Sequence, residues 1–273
     1  MRISQYHPAL YAVSVAGHRL KRRALWYSRT NSMSGSREET VLPVRTTQHQ
    51  SPLLRKLGDA DMRLQYNKVT NLRLAAEQLD GIIIKPGETF SFWKLIGEPT
   101  AKRGFLEGML ISNGEVTSGI GGGLCQLANL LYWMFLHTPL TVTERHHHSM
   151  DIFPDSGRTI PFGTGATIFF NYVDLQCRND TDQTFQIKVW LTGEHLKGEI
   201  RSDRDLPVRY SVIERDHRFL RRTADGRHFR SNRIFRQVRS AGTGQPLREE
   251  LLMDNFSLMK YLPPEGEKVH EMP

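Results

Sequence analysis

Cys125 stands where a glycine run meets a helical pattern, and three histidines follow one helix and one short extended segment later. Residues 118–126 read Ser-Gly-Ile-Gly-Gly-Gly-Leu-Cys-Gln, and residues 143–149 read Thr-Glu-Arg-His-His-His-Ser. A thiol in the first turn of a helix meets unpaired backbone N–H groups and the positive end of the helix dipole. Both favour the thiolate, which is the nucleophilic form. Gly122 and Gly123 remove side chains in front of it, so a substrate carbonyl can approach the backbone. N–H groups there suit an oxyanion, at roughly 3 kcal/mol per donor, and Gln126 adds a side-chain donor. A thiol nucleophile needs a base, and the base needs orienting. On an extended segment His146 and His148 face one side and His147 the other. His146, His147 and His148 are the candidates for the base. Asp174 and Asn171, on the strands that follow, are the candidates for the third partner.

The order of cysteine on a helix, histidine on a strand and Asp or Asn on the next strand is also that of papain-like and transglutaminase-like enzymes, by arrangement alone. Two other readings stay open. Cys125 is equally placed to be a small buried residue at a tight helix entry. Cys125, His146 and His148 are also three ligands for a zinc ion with an open fourth position, though their spacing matches no finger pattern. The glycine run lacks the Lys-Ser/Thr of a phosphate-binding loop, and no cofactor motif is present. Cys177, in mid-strand, reads as core. Glu144-Arg145 reads either as a pair that positions the histidines or as an ordinary strand-end pair.

The elements that must hold these residues follow from periodicity. Val69, Leu72, Ala76 and Leu79 recur at helical spacing, with Gly81 as the stop. Ile82 to Ile84 is a short buried strand, and Thr89 to Trp93 alternates like a half-buried one. Asn113-Gly114 predicts a hairpin between strands ending at Ser112 and starting at Glu115. Leu127, Leu130, Leu131, Met134 and Phe135 form a wide helical stripe, stopped by Pro139. Strands are expected at Leu140–Arg145, Ala166–Phe170, Val173–Arg178, Phe185–Leu191 and His195–Arg201. The fold class is therefore α+β: a mixed or antiparallel sheet with two principal helices, plus a β-rich C-terminal extension. The expected organisation is a basic, largely irregular lead-in over 1–60, a main domain over 61–200, an arginine-rich β extension over 201–262 and a disordered tail over 263–273. Within the lead-in, Leu10 to Arg29 suits a short amphipathic helix.

The chain has 273 residues and a formal charge of +8. The excess sits at the ends: eight basic against two acidic side chains in residues 1–50, but fourteen against sixteen in 51–200. Such ends suit anionic surfaces, or a plain solvated face. Twelve arginines fall between Arg201 and Arg239, without the paired aromatic stacking positions of a nucleic-acid binder. Two cysteines are too few for a disulfide framework and suit a reducing compartment or a catalytic role. No run approaches the roughly 18–20 apolar residues of a membrane helix. Arg19, Lys21, Arg22 and Arg23 follow the N-terminal apolar run instead of preceding it, the wrong order for a signal peptide. The expected location is cytoplasmic, or peripheral at the inner face of the membrane.

Four blocks in order resemble the signatures of the VanW family: Asn71 to Ala76, Lys85 to Trp93, Gly121 to Gln126, and Glu144-Arg145 with His148. The resemblance covers roughly Asn67 to Leu191. It implies a link to glycopeptide (vancomycin) resistance and cell-envelope metabolism, with a peptidoglycan precursor or an anionic envelope component as partner. It carries no assigned activity. It marks Cys125, Gln126 and His148 as the family's polar positions, and His146 less firmly. Many members of the family carry an Asp where this chain has Gly165, which leaves Asp174 as the favoured third partner. The expectation is a thiol-dependent hydrolase or acyl-transferase using a Cys125–His148 pair. The alternative is a non-catalytic accessory protein docking on an anionic envelope partner.

Overall fold

The structure is a computed structural model that describes residues 8–28, 32–54, 61–112, 115–147, 150–154 and 159–273. It is α+β. Its centre is an antiparallel sheet of β1 (Val44–Pro52), β10 (His195–Ser202), β9 (Phe185–Leu191) and β2 (Ile83–Ile84), in that spatial order. Helix α2 (Met62–Leu79) packs on β9, and α4 (Cys125–Leu136) packs on β1 and β10. The stripes predicted from spacing are the buried ones: Leu72, Ala76 and Leu79 on α2, and Leu127, Leu130, Leu131, Met134 and Phe135 on α4. Asp61 caps α2 through its carboxylate, which accepts from Arg63 N at 2.8 Å. β10 carries Gly198 where α4 crosses it, because a Cβ there would lie 2.7 Å from Met134 Cε.

The second sheet is small, with order β3 (Thr89–Ser91), β8 (Gln176–Arg178), β6 (Thr141–Glu144). Cys177 sits at its centre, fully buried, and is core as the pattern predicts. A separate hairpin pairs β4 (Glu107–Ser112) with β5 (Glu115–Ile120). Its Ser112↔Glu115 register is the predicted one, while Asn113-Gly114 lies outside the described residues.

The C-terminal part is a meander of three long strands, β11 (Val208–Arg222), β12 (His228–Ser240) and β13 (Pro246–Met259). Its arginines are largely occupied within the sheet. Arg215 pairs with Glu249, Arg236 with Glu250 and Arg233 with Asp216, and the Arg215 and Arg233 guanidinium groups lie over the Phe235 ring. The sheet is tied to the centre through β7 (Met150–Asp151), where buried Asp151 accepts from Tyr261 Oη at 2.6 Å and faces Arg230 Nη1 at 3.5 Å.

Four expectations need correction. The alternating stretch Thr89–Trp93 is strand only to Ser91. There the Ser91 hydroxyl accepts from Lys94 N and caps α3 (Phe92–Ile96), so the polar–aromatic alternation ends in a helix start. Residues 166–170 form isolated bridges, Thr167 to His146 and Phe169 to Val173, because their neighbours are a helix end and a loop. The tail over 263–273 is not disordered: β14 (Val269–Met272) adds to β11 as a parallel edge strand. The lead-in is not largely irregular: besides the expected helix, α1 (Pro8–Trp26), it supplies β1. Among the described residues no helix is long and apolar enough to cross a membrane.

Candidate functional site

The entry to α4 is set by backbone contact. A Cβ on Gly122 would lie 2.1 Å from the Gly108 carbonyl, so this point of the fold admits only glycine on either side. Gly123, at φ +91, turns the chain, and a Cβ there would lie 2.2 Å from Lys68 Cγ. Asn71, fully buried on α2, fastens the turn: its Nδ2 donates to Gly122 O at 2.9 Å and to Leu106 O at 3.0 Å, and its Oδ1 accepts from Leu106 N at 2.8 Å. The glycines thus make room for this chain's own β4 and α2, and not for an incoming carbonyl. Gly122 N–H donates to Gly119 O. The N–H groups of Gly123 and Leu124 have no acceptor among the described residues. Gln126 is spent on structure, its Nε2 donating to Ser51 Oγ at 2.9 Å and Pro52 O at 2.8 Å, which anchors the end of β1.

Cys125 follows as the first residue of α4, half-buried and packed against the core. Burial pushes the thiol above its ordinary range, and the backbone N–H dipoles of Ile168 and Cys125 oppose that rise without cancelling it. The expected thiolate is therefore not the resting state: desolvation outweighs the helix terminus.

The strip of chain carrying Ile168 lies between α4 and the histidine segment. Ala166 N donates to Asn129 Oδ1, one turn along α4 from Cys125, at 2.6 Å. Thr167 N, facing the other way, donates to His146 O at 2.8 Å. Arg145 clasps the same strip, with its guanidinium on the carbonyls of Gly163 and Gly165 and over the Tyr132 ring. Gly165 contributes a backbone carbonyl here. Cys125 and the histidine segment thus flank one strip of backbone. Among the described residues no imidazole nitrogen bonds to Cys125 Sγ. His148 lies outside the described residues, and His147 is exposed.

The carboxylate that reaches a histidine is Glu144. Its Oε1 lies 3.1 Å from His146 Nε2, as expected for residues two apart on one strand face. Arg22 of α1 clamps Glu144 with two bonds of 2.6 Å, and Asp174 N donates to Glu144 Oε1 at 3.0 Å. Asp174 itself is fully buried, and its bonds serve another purpose than a triad. Oδ2 accepts from Ser91 Oγ at 2.5 Å and Gln176 Nε2 at 3.0 Å; Oδ1 accepts from Trp93 N at 3.1 Å and Leu175 N at 2.9 Å. Four donors leave it no free direction toward a histidine. Burial raises it to about 6 despite those donors, with the Glu144 charge adding to the rise. Asn171, the other candidate, is fully buried with neither side-chain amide atom hydrogen-bonded. Among the described residues no three His, Cys, Asp or Glu side chains gather to hold a metal ion.

Residues 67–201, which carry the glycine turn, Cys125, the Glu144–His146 strand and Asp174, match the family model described as VanW like protein. The chain is 38% identical over 211 residues to the vancomycin B-type resistance protein VanW of Enterococcus faecalis, covering 77% of this chain and 76% of that protein. The chain belongs to the VanW family. This VanW-like chain is also 29% identical over 118 residues to the uncharacterized protein YoaR of Bacillus subtilis, covering 43% of this chain and 37% of that protein. No solved structure matches it. Glu144, which the sequence offers as a partner of Arg145, is instead paired with Arg22, while Arg145 turns to the Gly163 and Gly165 carbonyls. Arg22 is 122 positions away and carries no local signal.

Proposed function

We propose that this VanW-like protein is a thiol-dependent acyl-transfer enzyme of cell-envelope metabolism, hydrolase or transferase, with Cys125 as nucleophile. One observation carries the reading: Cys125 is the first residue of α4, directly behind the tight Gly122-Gly123 turn. A helix N-terminus favours negative charge, on a sulfur and on an oxyanion formed beside it after attack. Because burial keeps the resting thiol protonated, a base must remove the proton as the S–C bond forms. His148, four residues beyond Glu144 in the sequence, is the residue proposed for that step, with Arg22 fixing Glu144. The sulfur adds to an amide carbonyl, and the carbonyl electron pair moves to oxygen. Collapse expels the amine, which takes the proton from the imidazolium. Water or an acceptor amine then releases the thioester. The N–H groups of Gly123 and Leu124, which have no acceptor among the described residues, are the donors proposed for the oxyanion. The relative's name, a vancomycin resistance protein, supports a peptidoglycan precursor or related amide as substrate, met in the cytoplasm at the inner membrane face.

The test is acyl capture. With a peptide thioester as acyl donor, intact mass should show one acyl group on the wild-type protein and none on Cys125→Ala. His148→Gln should slow capture by on the order of a hundredfold. Absence of capture, together with Cys125→Ser supporting the same cellular phenotype as the wild type, would overturn the proposal. A second reading is favoured by the raised thiol and by the structural use of Gln126 and Asp174: a non-catalytic accessory protein docking on an anionic envelope partner. In that case Cys125→Ala leaves retention on envelope material unchanged.

A further inference from the structure

Helix α1 carries two opposed stripes. Val15, Arg19, Arg22 and Trp26 face the body of the protein, spaced four, three and four apart. Arg19 Nε donates to Phe170 O at 3.0 Å, Arg22 clamps Glu144, and Trp26 Nε1 donates to Ser91 Oγ at 3.1 Å. Leu10, Val13, Gly17, Leu20, Ala24 and Tyr27 recur at three and four residues, which at about 3.6 residues per turn puts them together on the other side of the cylinder. That second stripe is solvent-facing: Leu10 is 48% exposed, Val13 69%, Leu20 70% and Tyr27 81%. The inner face already makes the bonds that dock α1, so the outer apolar stripe does nothing for the fold.

We infer that α1 is a membrane-docking helix that lies along an anionic lipid surface on its outer stripe. The choice of occupant rests on charge. Lys21 and Arg23 flank the stripe and make no ion pair with the described residues. The helix has four basic residues, Arg19, Lys21, Arg22 and Arg23, and no acidic one. Two copies meeting along this stripe would bring like charges together, whereas phosphate headgroups complement them. An apolar stripe edged by Lys and Arg on a helix too polar to span the bilayer is the pattern of an interfacial helix. The consequence is positional. The same helix holds Glu144 and the Phe170–Val173 turn from its inner face, so docking would set the Cys125–His146 region beside the lipid surface. The inference does not depend on Cys125 being a nucleophile.

The experiment is co-sedimentation of the full chain with phosphatidylcholine vesicles, with and without phosphatidylglycerol. Binding should require the anionic lipid and weaken with added salt. Lys21→Gln with Arg23→Gln should weaken it roughly twenty-fivefold, at about fivefold per cation. Val13→Asp and Leu20→Asp should each weaken it by on the order of tenfold or more. Circular dichroism and urea unfolding should stay at wild-type values, since all four positions are exposed. Cys125→Ala should bind as the parent does, which separates this inference from the catalytic proposal. Equal binding to neutral vesicles, variants that bind like the parent, or a dimer that Val13→Asp dissolves would each overturn it.

Discussion

Asp174→Asn isolates the energetic cost of the most buried carboxylate near the site. The wild-type carboxyl titrates at about 6 in the folded protein against an ordinary 3.8, because burial disfavours its charge more than four hydrogen-bond donors favour it. A carboxyl raised on folding holds its proton more tightly in the native state. Its contribution is therefore fully present below pH 3.8 and is lost as pH rises through about 6. At about 1.4 kcal/mol per pH unit of displacement, the loss comes to roughly 3 kcal/mol. Asparagine does not titrate and has no such loss. It does carry an NH2 where Oδ2 accepts from Ser91 and Gln176. Ser91 Oγ cannot turn to accept it without competing with Trp26 Nε1 and Lys94 N, which already donate to that oxygen. The variant is thus expected to be less stable than wild type at acid pH, with the gap narrowing by roughly 3 kcal/mol between about pH 4 and pH 7. Urea unfolding followed by tryptophan fluorescence at a series of pH values measures the gap directly, and subtraction cancels the titrating groups that do not couple to Asp174. A difference curve that stays flat over that window, or that widens with pH, would refute the assignment of Asp174 as a desolvated carboxylate.

The remaining expectations concern packing and docking. Gly122→Ala must push β4 away from the α4 entry, since its Cβ would meet the Gly108 carbonyl at 2.1 Å. The expected cost is on the order of 3 kcal/mol or more, and a shift of the urea midpoint worth less than about 1 kcal/mol would rule out the close approach. Glu144→Gln removes a doubly bonded partner of Arg22 in a half-buried setting. It should cost on the order of 1–3 kcal/mol and loosen α1, read as faster trypsin cleavage after Lys21 or Arg23 in the native protein. Unchanged cleavage would mean that Trp26, Arg19 and the Arg22–Tyr172 bond suffice to hold the helix.

The sequence by itself determined the elements whose signal is local. The stripes of α2 and α4, the β4–β5 register around Asn113-Gly114 and the core identity of Cys177 all follow from spacing and turn chemistry, because one buried face or one tight turn decides them. Where the pattern fitted two structures, tertiary context chose. Thr89 to Trp93 alternates well enough for a strand, yet buried Asp174, 83 positions beyond Ser91, accepts from Ser91 Oγ and Trp93 N and holds the turn into α3. Val269 to Met272 looks like a free tail until β11 offers an unpaired edge.

The candidate site divides in the same way. That a thiol opens α4 beyond a glycine turn was legible, because helix periodicity and the glycine run are contiguous. That Gly122 faces Gly108 and not a ligand, that burial overrides the helix terminus at Cys125, and that Glu144 and not Asp174 reaches His146 were not. Each depends on residues tens of positions apart converging on a few ångströms, and on how much water they exclude. Electrostatic cost is set by that exclusion, which no spacing in the chain encodes. The basic lead-in shows the same limit from the other side. Its charge was plain in the sequence, but only the docking of Arg19, Arg22 and Trp26 decided which face of α1 is left for a surface outside the protein.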